Sequence, residues 1–356
     1  MEVSRFACDN YQMRTTIFAL LFLIGVCLAQ TTCFQAPANP EDRRTDKSKL
    51  VVATYNAEWL FLANEQDPAS CPEAGCPYPT LADAEEHVAQ IAQEIVELNA
   101  DVINLVEVEG CDVLESLIRH IGSDHGYKGY LVEGTDTFTG QNVALLTRAD
   151  PVVDLERTNA RVNYPVANTT CTGPIVADDY ALSKNYYTKI QVNDLQINLF
   201  SGHFLAYPDD PERCYKREAQ AMVLQDYMAQ QFDAGENTIL FGDINDYDPD
   251  LQDANNDVPI SNVLYFLKSG FTLTAYDNYL VNVGNSVPFQ GQRYSCWYDR
   301  DDDCTNATDE FTAIDHTLID PILYSQLMDA KYIHNYPASC GQAISDHYPV
   351  LVVLSV

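Results

Sequence analysis

The feature that most constrains the fold of this chain is a series of short aliphatic runs, each ending at a polar residue able to bind a metal or move a proton. LVVATYN (50–56) ends on Asn56, DVINLVEVE (101–109) carries Glu107 and Glu109, and QINLFSGHF (196–204) carries His203. TILFGDIND (238–246) ends in Asp243, Asn245 and Asp246; IDHTLID (314–320) opens with Asp315 and His316; Asp346 and His347 precede the final YPVLVVLSV (348–356). NVALLTR (142–148) and TKIQV (188–192) are further strand-like runs. Runs this short and apolar, bounded by turn residues, read as buried strands. A core does not accept unpaired carboxylates, amides or imidazoles, and strands of one sheet tend to deliver such ends to a common edge. A single Asp or Asn after a strand is ordinarily a turn residue. Their joint occurrence is what points to a site.

Helices intervene between the runs. Val88, Ile91, Ile95 and Leu98 recur at helical spacing over 82–98, and 215–231 places Ala219, Met222, Val223 and Leu224 among polar residues. Strands outnumber helices, which predicts an α/β or α+β layered sandwich. The periodic structure runs from Leu50 to the last residue, so one catalytic-size domain is expected at 50–356, after a polar linker at 30–49. The segments 62–81, 163–182 and 281–311 read as surface insertions. Hydrophobic residues make up 46% of the 356, including 22 tyrosines, which excludes disorder as the dominant state. The net charge of −32 argues against a sequence-reading DNA binder and against a polybasic membrane patch.

The one strongly hydrophobic stretch, IFALLFLIGVCLA (17–29), follows Arg14 and is too short to span a bilayer comfortably. It predicts a signal peptide at 1–29, cut before Gln30, with an uncleaved anchor as the alternative. A secreted or lumenal protein with no stable membrane association follows. Cysteine usage agrees. Cys33, Cys71, Cys76, Cys111, Cys171, Cys214, Cys296, Cys304 and Cys340 have no zinc-like spacing and predict disulfides, Cys71–Cys76 and Cys296–Cys304 being the easiest closures, with one cysteine unpaired. Asn168 and Asn306 begin N-glycosylation sequons.

Asn56, Glu107, Asp243, Asn245 and Asp346 offer hard oxygen ligands, which select Mg²⁺, Mn²⁺ or Ca²⁺ over zinc. His203 and His347 add groups that titrate near neutral pH. Together they suit displacement at phosphorus, where a metal offsets oxyanion charge and a histidine moves a proton. Cations are few, with no Lys or Arg between Val51 and Ile118. Arg148, Arg161, Lys189, Arg213, Lys216 and Arg217 read mainly as surface charges, whereas Asn142 and Lys184, each preceding a strand directed at the site, are the expected contacts to substrate phosphate. The tract at 298–310 spaces Asp299, Asp301, Asp303 and Glu310 like a calcium loop, but Cys304 occupies the glycine position. A structural Ca²⁺ is one reading there and a solvated acidic loop is the default.

The motifs ATYNAEWLF (53–61), DVINLVEVE, NVALLTR, SGHFLA (201–206), GDIND (242–246), IDHTLI (314–319) and ISDHYPV (344–350) resemble, in order and over nearly the whole mature chain, the endonuclease/exonuclease/phosphatase superfamily. The resemblance implies a four-layer sandwich, two packed mixed β-sheets flanked by helices, with the active site at one end. It implies Glu107 as principal metal ligand for Mg²⁺ or Mn²⁺, assisted by Asn56 and Asp346. Asp243 and Asn245 would hold or activate the attacking water, with one or two metals left open. His347, oriented by Asp315, and His203 would be the two catalytic histidines, with acid and base unassigned. Val106 stands where the family usually has Gln, and Glu109 where the pancreatic-type nuclease has a minor-groove Arg. His203 in place of a Tyr departs from the abasic-site endonucleases. The activity implied is a secreted, metal-dependent phosphodiesterase, foremost a nuclease on DNA or RNA. A sphingomyelinase-like or inositol-phosphatase-like phosphoesterase and a non-catalytic binding member are the alternatives.

Overall fold

The run at 102–108 illustrates how the layers form. Val102 and Val106 point to one side of their strand and Ile103 and Leu105 to the other, and all four are fully buried. A strand covered on both faces is apolar without alternation. The computed structural model describes residues 33–62, 76–231, 236–269 and 280–356. The expected signal peptide at 1–29 and the Cys71–Cys76 pairing lie outside the described residues.

In chain order the strands are β1 (Lys49–Leu60), β2 (Val102–Val108), β3 (Lys128–Leu131), β4 (Asn142–Thr147), β5 (Arg161–Tyr164), β6 (Asp178–Ala181), β7 (Lys184–Val192), β8 (Leu195–His203), β9 (Asn237–Asp243), β10 (Val281–Asn282), β11 (Cys296–Trp297), β12 (Phe311–Thr312), β13 (Asp315–Ile319), β14 (Leu327–Tyr332) and β15 (Val350–Ser355). The helices are α1 (Leu81–Leu98), α2 (Cys111–Ile121), α3 (Pro211–Gln231), α4 (Val263–Lys268) and α5 (Pro321–Ser325). One sheet has the order β14-β15-β1-β2-β4-β3 and the other β10-β13-β9-β8-β7. Each is mixed, with one parallel pair: β1 with β2, and β8 with β9.

The facing sheets enclose a core that includes Val52, Leu145, Tyr186, Leu199, Phe241 and Val350. α1 and α2 cover the outer face of the first sheet through Val88, Ile91, Ile95, Val113 and Leu117, packed on Tyr55, Ile103 and Leu105. α3 and α4 cover the second through Val223, Leu224, Met228 and Leu264, packed on Phe200, Leu240 and Leu318. This is the expected four-layer sandwich. α1 starts where Thr80 caps the amide of Asp83 and stops where Asn99 turns left-handed. α3 begins earlier than its apolar periodicity indicates, at Pro211, a residue suited to a first helical turn.

Two expectations change. Residues 33–48, read as part of a linker, are fastened to the domain. Cys33 is disulfide-bonded to Cys111, and the Arg43 guanidinium grips Asp150 with both terminal nitrogens at 2.8 and 2.5 Å. Cysteine pairing also departs from sequence proximity. Cys304 pairs with Cys340 and Cys171 with Cys214, leaving Cys296 free and buried. Cys296, on β11, lies instead beside His347 in the lining of a cleft, while Cys304 sits in the exposed loop that follows. Among the described residues no helix is long and apolar enough to cross a membrane.

Candidate active site

The two parallel pairs deliver their C-terminal residues to one edge of the sandwich. Asn56 and Glu107 come from β1 and β2, and His203 and Asp243, directly paired in register, from β8 and β9. The approach of β8 to β9 depends on glycine. Gly242 has φ +151°, and a Cβ there would stand 2.1 Å from the carbonyl oxygen of Gly202. Across β9, Asp315 is the register partner of Asp243. The GDIND glycine thus has a steric reason, independent of chemistry.

At the ends of β1 and β2 the ladder shifts register, and three residues there take left-handed backbone: Glu58 at φ +42°, Trp59 at +51° and Glu107 at +66°. Such strain persists only where neighbours over-determine it. Here the Trp59 amide donates to Glu107 Oε2 at 3.0 Å, and the Glu58 amide to Asn56 Oδ1 at 3.0 Å. The Asn56 amide nitrogen bridges Glu107 Oε1 (3.3 Å) and Asp243 Oδ2 (3.0 Å).

Asp243 is the hub. His203 Nε2 lies 3.6 Å from its Oδ2 and 3.9 Å from Glu107 Oε1. His347 Nε2 lies 3.9 Å from both Asp243 Oδ2 and Asp346 Oδ1. The other His347 nitrogen, Nδ1, meets Asp315 Oδ2 at 2.7 Å. Asn245, left-handed at φ +50°, donates its backbone amide to Asp243 Oδ1 at 3.0 Å and its side-chain amide to the Phe204 carbonyl. All the residues expected to bind metal or act in catalysis therefore meet: Glu107, His203, Asp243, Asn245, Asp346 and His347 line one cleft of about 580 Å³ together with Tyr207, Tyr247, Tyr298 and Arg300, and Asn56 and Asp315 hold them from behind.

The two expected phosphate contacts stand differently. Lys184 sits opposite His203 in the β7–β8 register, with its Nζ 3.3 Å from Gln141 Oε1 and 3.4 Å from Asp136. Asn142 spends its side chain on backbone, accepting from the Gly134 amide and donating to the Glu109 carbonyl. Two site residues escaped the sequence reading. Ser345 donates to the Asn56 carbonyl at 2.9 Å and accepts from the His347 amide at 3.0 Å, and Glu58 accepts from the Asp346 amide at 3.2 Å. Their only signal was position inside ATYNAEWLF and ISDHYPV.

Burial, then repulsion among the carboxylates, sets the electrostatics. Burial and the charges of Asp315 and Glu107 push Asp243 up to about 8. Burial and Asp346 raise Glu107, and Glu58 is raised well above the carboxylate range by burial, Asp346 and Glu107. Burial lowers His203 well below its ordinary value, helped by Lys184 and His347. His347 moves the opposite way: burial opposes its cation, yet Asp315 and Asp346 raise it well above the usual range.

Hard oxygens crowd here without a contacting Lys or Arg among the described residues. Asp243, Asp315 and His347 place ligand atoms within 4.8 Å of one another, and Asp315 Oδ1 is buried without a hydrogen-bond partner. The carboxylates of Glu107 and Asp243, joined by Asn56, and of Asp346 beside His347 are hard oxygen donors that fit a divalent cation. At 298–310 the carboxylates of Asp299, Asp301 and Asp303 come within 4.8 Å of one another, as the calcium-loop reading expects, whereas Glu310 is turned inward and accepts from Trp297 Nε1 and the amides of Arg300 and Ala307.

No sequence family and no curated protein matches the chain. Its fold does match solved structures. D. rerio TDP2 complexed with a single strand DNA product aligns at TM-score 0.54 and 13% identity, covering 87% of this chain and 100% of that one. Truncated Caenorhabditis elegans TDP2 aligns at 0.50 and 15%, covering 86% and 98%. An endonuclease/exonuclease/phosphatase from Beutenbergia cavernae aligns at 0.50 and 17%, covering 87% and 72%.

Proposed function

We propose, for a chain that has the endonuclease/exonuclease/phosphatase fold, a divalent-metal-dependent phosphodiesterase that hydrolyses nucleic acid outside the cell or in the secretory lumen. The observation that carries it is the position of Asp243, which contacts Asn56 and lies within 4 Å of both histidines while Asp315 fixes His347 from behind. Glu107 and Asp346, with Asn56 and Asp243 beside them, would hold the metal. When bound, the cation offsets charge on a phosphate oxygen.

The chain's own residues supply the rest. Asp315 orients the His347 ring so that Nε2 faces the cleft and can hold or pass a proton there. Asp243, fixed by Asn56 and by the Asn245 amide, is placed to accept a hydrogen bond from an attacking water. His203 Nε2 enters between the Glu107 and Asp243 carboxylates, where it can donate to a phosphate oxygen.

The solved D. rerio TDP2, which shares this fold, is complexed with a single strand DNA product, and that supports a nucleic-acid substrate here. Disulfides at Cys33–Cys111, Cys171–Cys214 and Cys304–Cys340 support an oxidising compartment. The test is turnover of bis-p-nitrophenyl phosphate, plasmid DNA, RNA and sphingomyelin with Mg²⁺, Mn²⁺ or Ca²⁺, each with a chelator control. Chelator-sensitive cleavage of DNA or RNA is expected. Turnover confined to sphingomyelin would assign the enzyme to lipid, and none on any substrate would remove the enzymatic reading.

A further inference from the structure

Beside the catalytic cluster the cleft has an aromatic wall that phosphodiester chemistry does not require. Tyr207, on the loop after β8, and Tyr298, after β11, both line it and are 58% and 61% exposed. More than half of each ring is left in water at the mouth of a polar site.

Both loops are held from behind. Tyr207 is left-handed, with φ +68°, a conformation unfavourable for an aromatic residue. The fully buried Arg217 maintains it, donating to the carbonyl oxygens of Tyr207 and Pro208 while its Nε bonds Asp246 Oδ2 at 2.8 Å. Ser261 donates to the same Asp246 oxygen at 2.7 Å. Asp246, the last residue of GDIND, thus has no part in the catalytic cluster and anchors a cleft loop. The guanidinium of Arg213 lies over the Tyr207 ring, 4.5 Å from its centroid. On the other side, Glu310 accepts from Trp297 Nε1 and the Arg300 amide, and Cys304–Cys340 ties the hairpin loop to the segment before the final strand, fixing the stretch that carries Tyr298 and Arg300.

Preorganised, solvent-exposed rings in a cleft that Arg300 also lines match a flat π-surface carrying negative charge. We infer that Tyr207 and Tyr298 form a stacking subsite for the base of the nucleotide next to the scissile phosphate, with Arg300 placed for the following phosphate. This rests on the nucleic-acid reading above and adds to it a contact that is sequence-tolerant, since every base has a π-face.

The test uses a single-stranded thymidine 12-mer and a set of copies each carrying one abasic residue, with kcat/KM read bond by bond from the product ladder. Wild type should cut the bond whose stacked position is abasic roughly five- to a hundredfold more slowly than the same bond in the intact strand. In Tyr207→Ala the intact strand should lose a comparable factor, mainly through KM, and the abasic penalty should vanish; Tyr207→Phe should restore both. The Tyr207 ring is mostly in solvent, so its truncation should leave the melting temperature unchanged. An equal abasic penalty in wild type and Tyr207→Ala, or no penalty in either, overturns the subsite while leaving the nuclease intact. An uncut 12-mer together with uncut plasmid DNA and RNA, alongside hydrolysis of bis-p-nitrophenyl phosphate, overturns the nucleic-acid reading and the subsite with it; cleavage of RNA alone overturns the subsite as a sequence- and sugar-tolerant contact.

Discussion

Asp315 shows how one side chain is given a single task. Its Oδ2 faces His347 Nδ1 at 2.7 Å, and it is buried between β9 and the final loop. Replacement by Asn keeps volume and shape but removes the charge that favours the imidazolium and fixes the ring. Asp315→Asn should lower kcat on bis-p-nitrophenyl phosphate by roughly 10²–10⁴ with the melting temperature nearly unchanged; a loss under tenfold would show that the pair does not serve the chemistry. Glu94 is the contrasting case, a carboxylate with no chemistry to perform. It is buried on α1, bonded by the Asn335 amide at 3.0 Å, and burial pushes it up to about 7. Below about pH 4.5 it is protonated in both folded and unfolded chains. Between 4.5 and 7 the unfolded chain gives up the proton and the folded chain keeps it, so stability falls with rising pH and the loss is complete above 7. Glu94→Gln should therefore stabilise by roughly 1–3 kcal/mol at pH 8 and by nothing at pH 4. Denaturant melts at the two pH values measure this, and a gain of equal size at both would locate its origin in packing.

At the scale of elements, the meeting of β8 and β9 carries the greatest demand. A methyl at Gly242 would overlap the Gly202 carbonyl, and the backbone there is left-handed, so the strand pair would have to splay where it presents His203 and Asp243. Gly242→Ala should cost at least about 3 kcal/mol and nearly all activity, whereas Gly140→Ala, with nothing within 4 Å of its added Cβ although φ is +70°, should cost much less. Denaturant titration of both variants decides, and similar losses would remove the steric argument. The central strands were legible in the sequence for a related reason. Strands such as β2, β8 and β9 are covered on both faces, so they appear as unbroken apolar runs, and their polar ends stand out against them. The edge elements were not. LMDAKY, which forms β14, divides evenly between buried, half-buried and exposed residues around a register shift, and β5 and β6 are only four residues each, so none of them has a hydrophobic period long enough to read. α2 had one, in Val113, Leu114, Leu117 and Ile121, and its register was hidden only by the neighbouring buried strand. The segment at 281–311, read as a surface insertion, in fact supplies Cys296, Tyr298 and Arg300 to the cleft. Nothing local in a loop sequence announces which cavity it lines; that depends on the disulfide to Cys340 and on hydrogen bonds formed across the fold.

For the whole molecule, a charge of −32 has to coexist with a substrate that is itself a polyanion. Affinity for nucleic acid normally scales with the number of phosphates met by Lys and Arg, each releasing counterions. In this chain the cations are mostly spent internally. Arg217 is buried with Asp246, Arg148 lies over Tyr127 beside Asp101, and Lys189 pairs with Glu236 at 2.6 Å. Arg300 lines the cleft, Arg213 stands over one of its tyrosines, and Lys184, already paired with Asp136, lies next to His203. With about three phosphate contacts, the dissociation constant for a single strand should vary with salt with a log–log slope near 2, at roughly 0.7 per contact, instead of the steep dependence of a basic nuclease. Stacking on Tyr207 and Tyr298 is insensitive to salt, so it should carry a growing share of the binding as ionic strength rises, and the penalty for an abasic residue should persist at high salt. Anisotropy titrations of His347→Ala with a labelled 12-mer at constant divalent cation, between about 50 and 500 mM monovalent salt, measure the slope. A value of 5 or more would mean that a basic track outside this cleft holds the strand; a shallow slope with a persistent abasic penalty would mean that an acidic protein holds a polyanion by metal and ring contacts, leaving its surface charge to repel the rest of the strand.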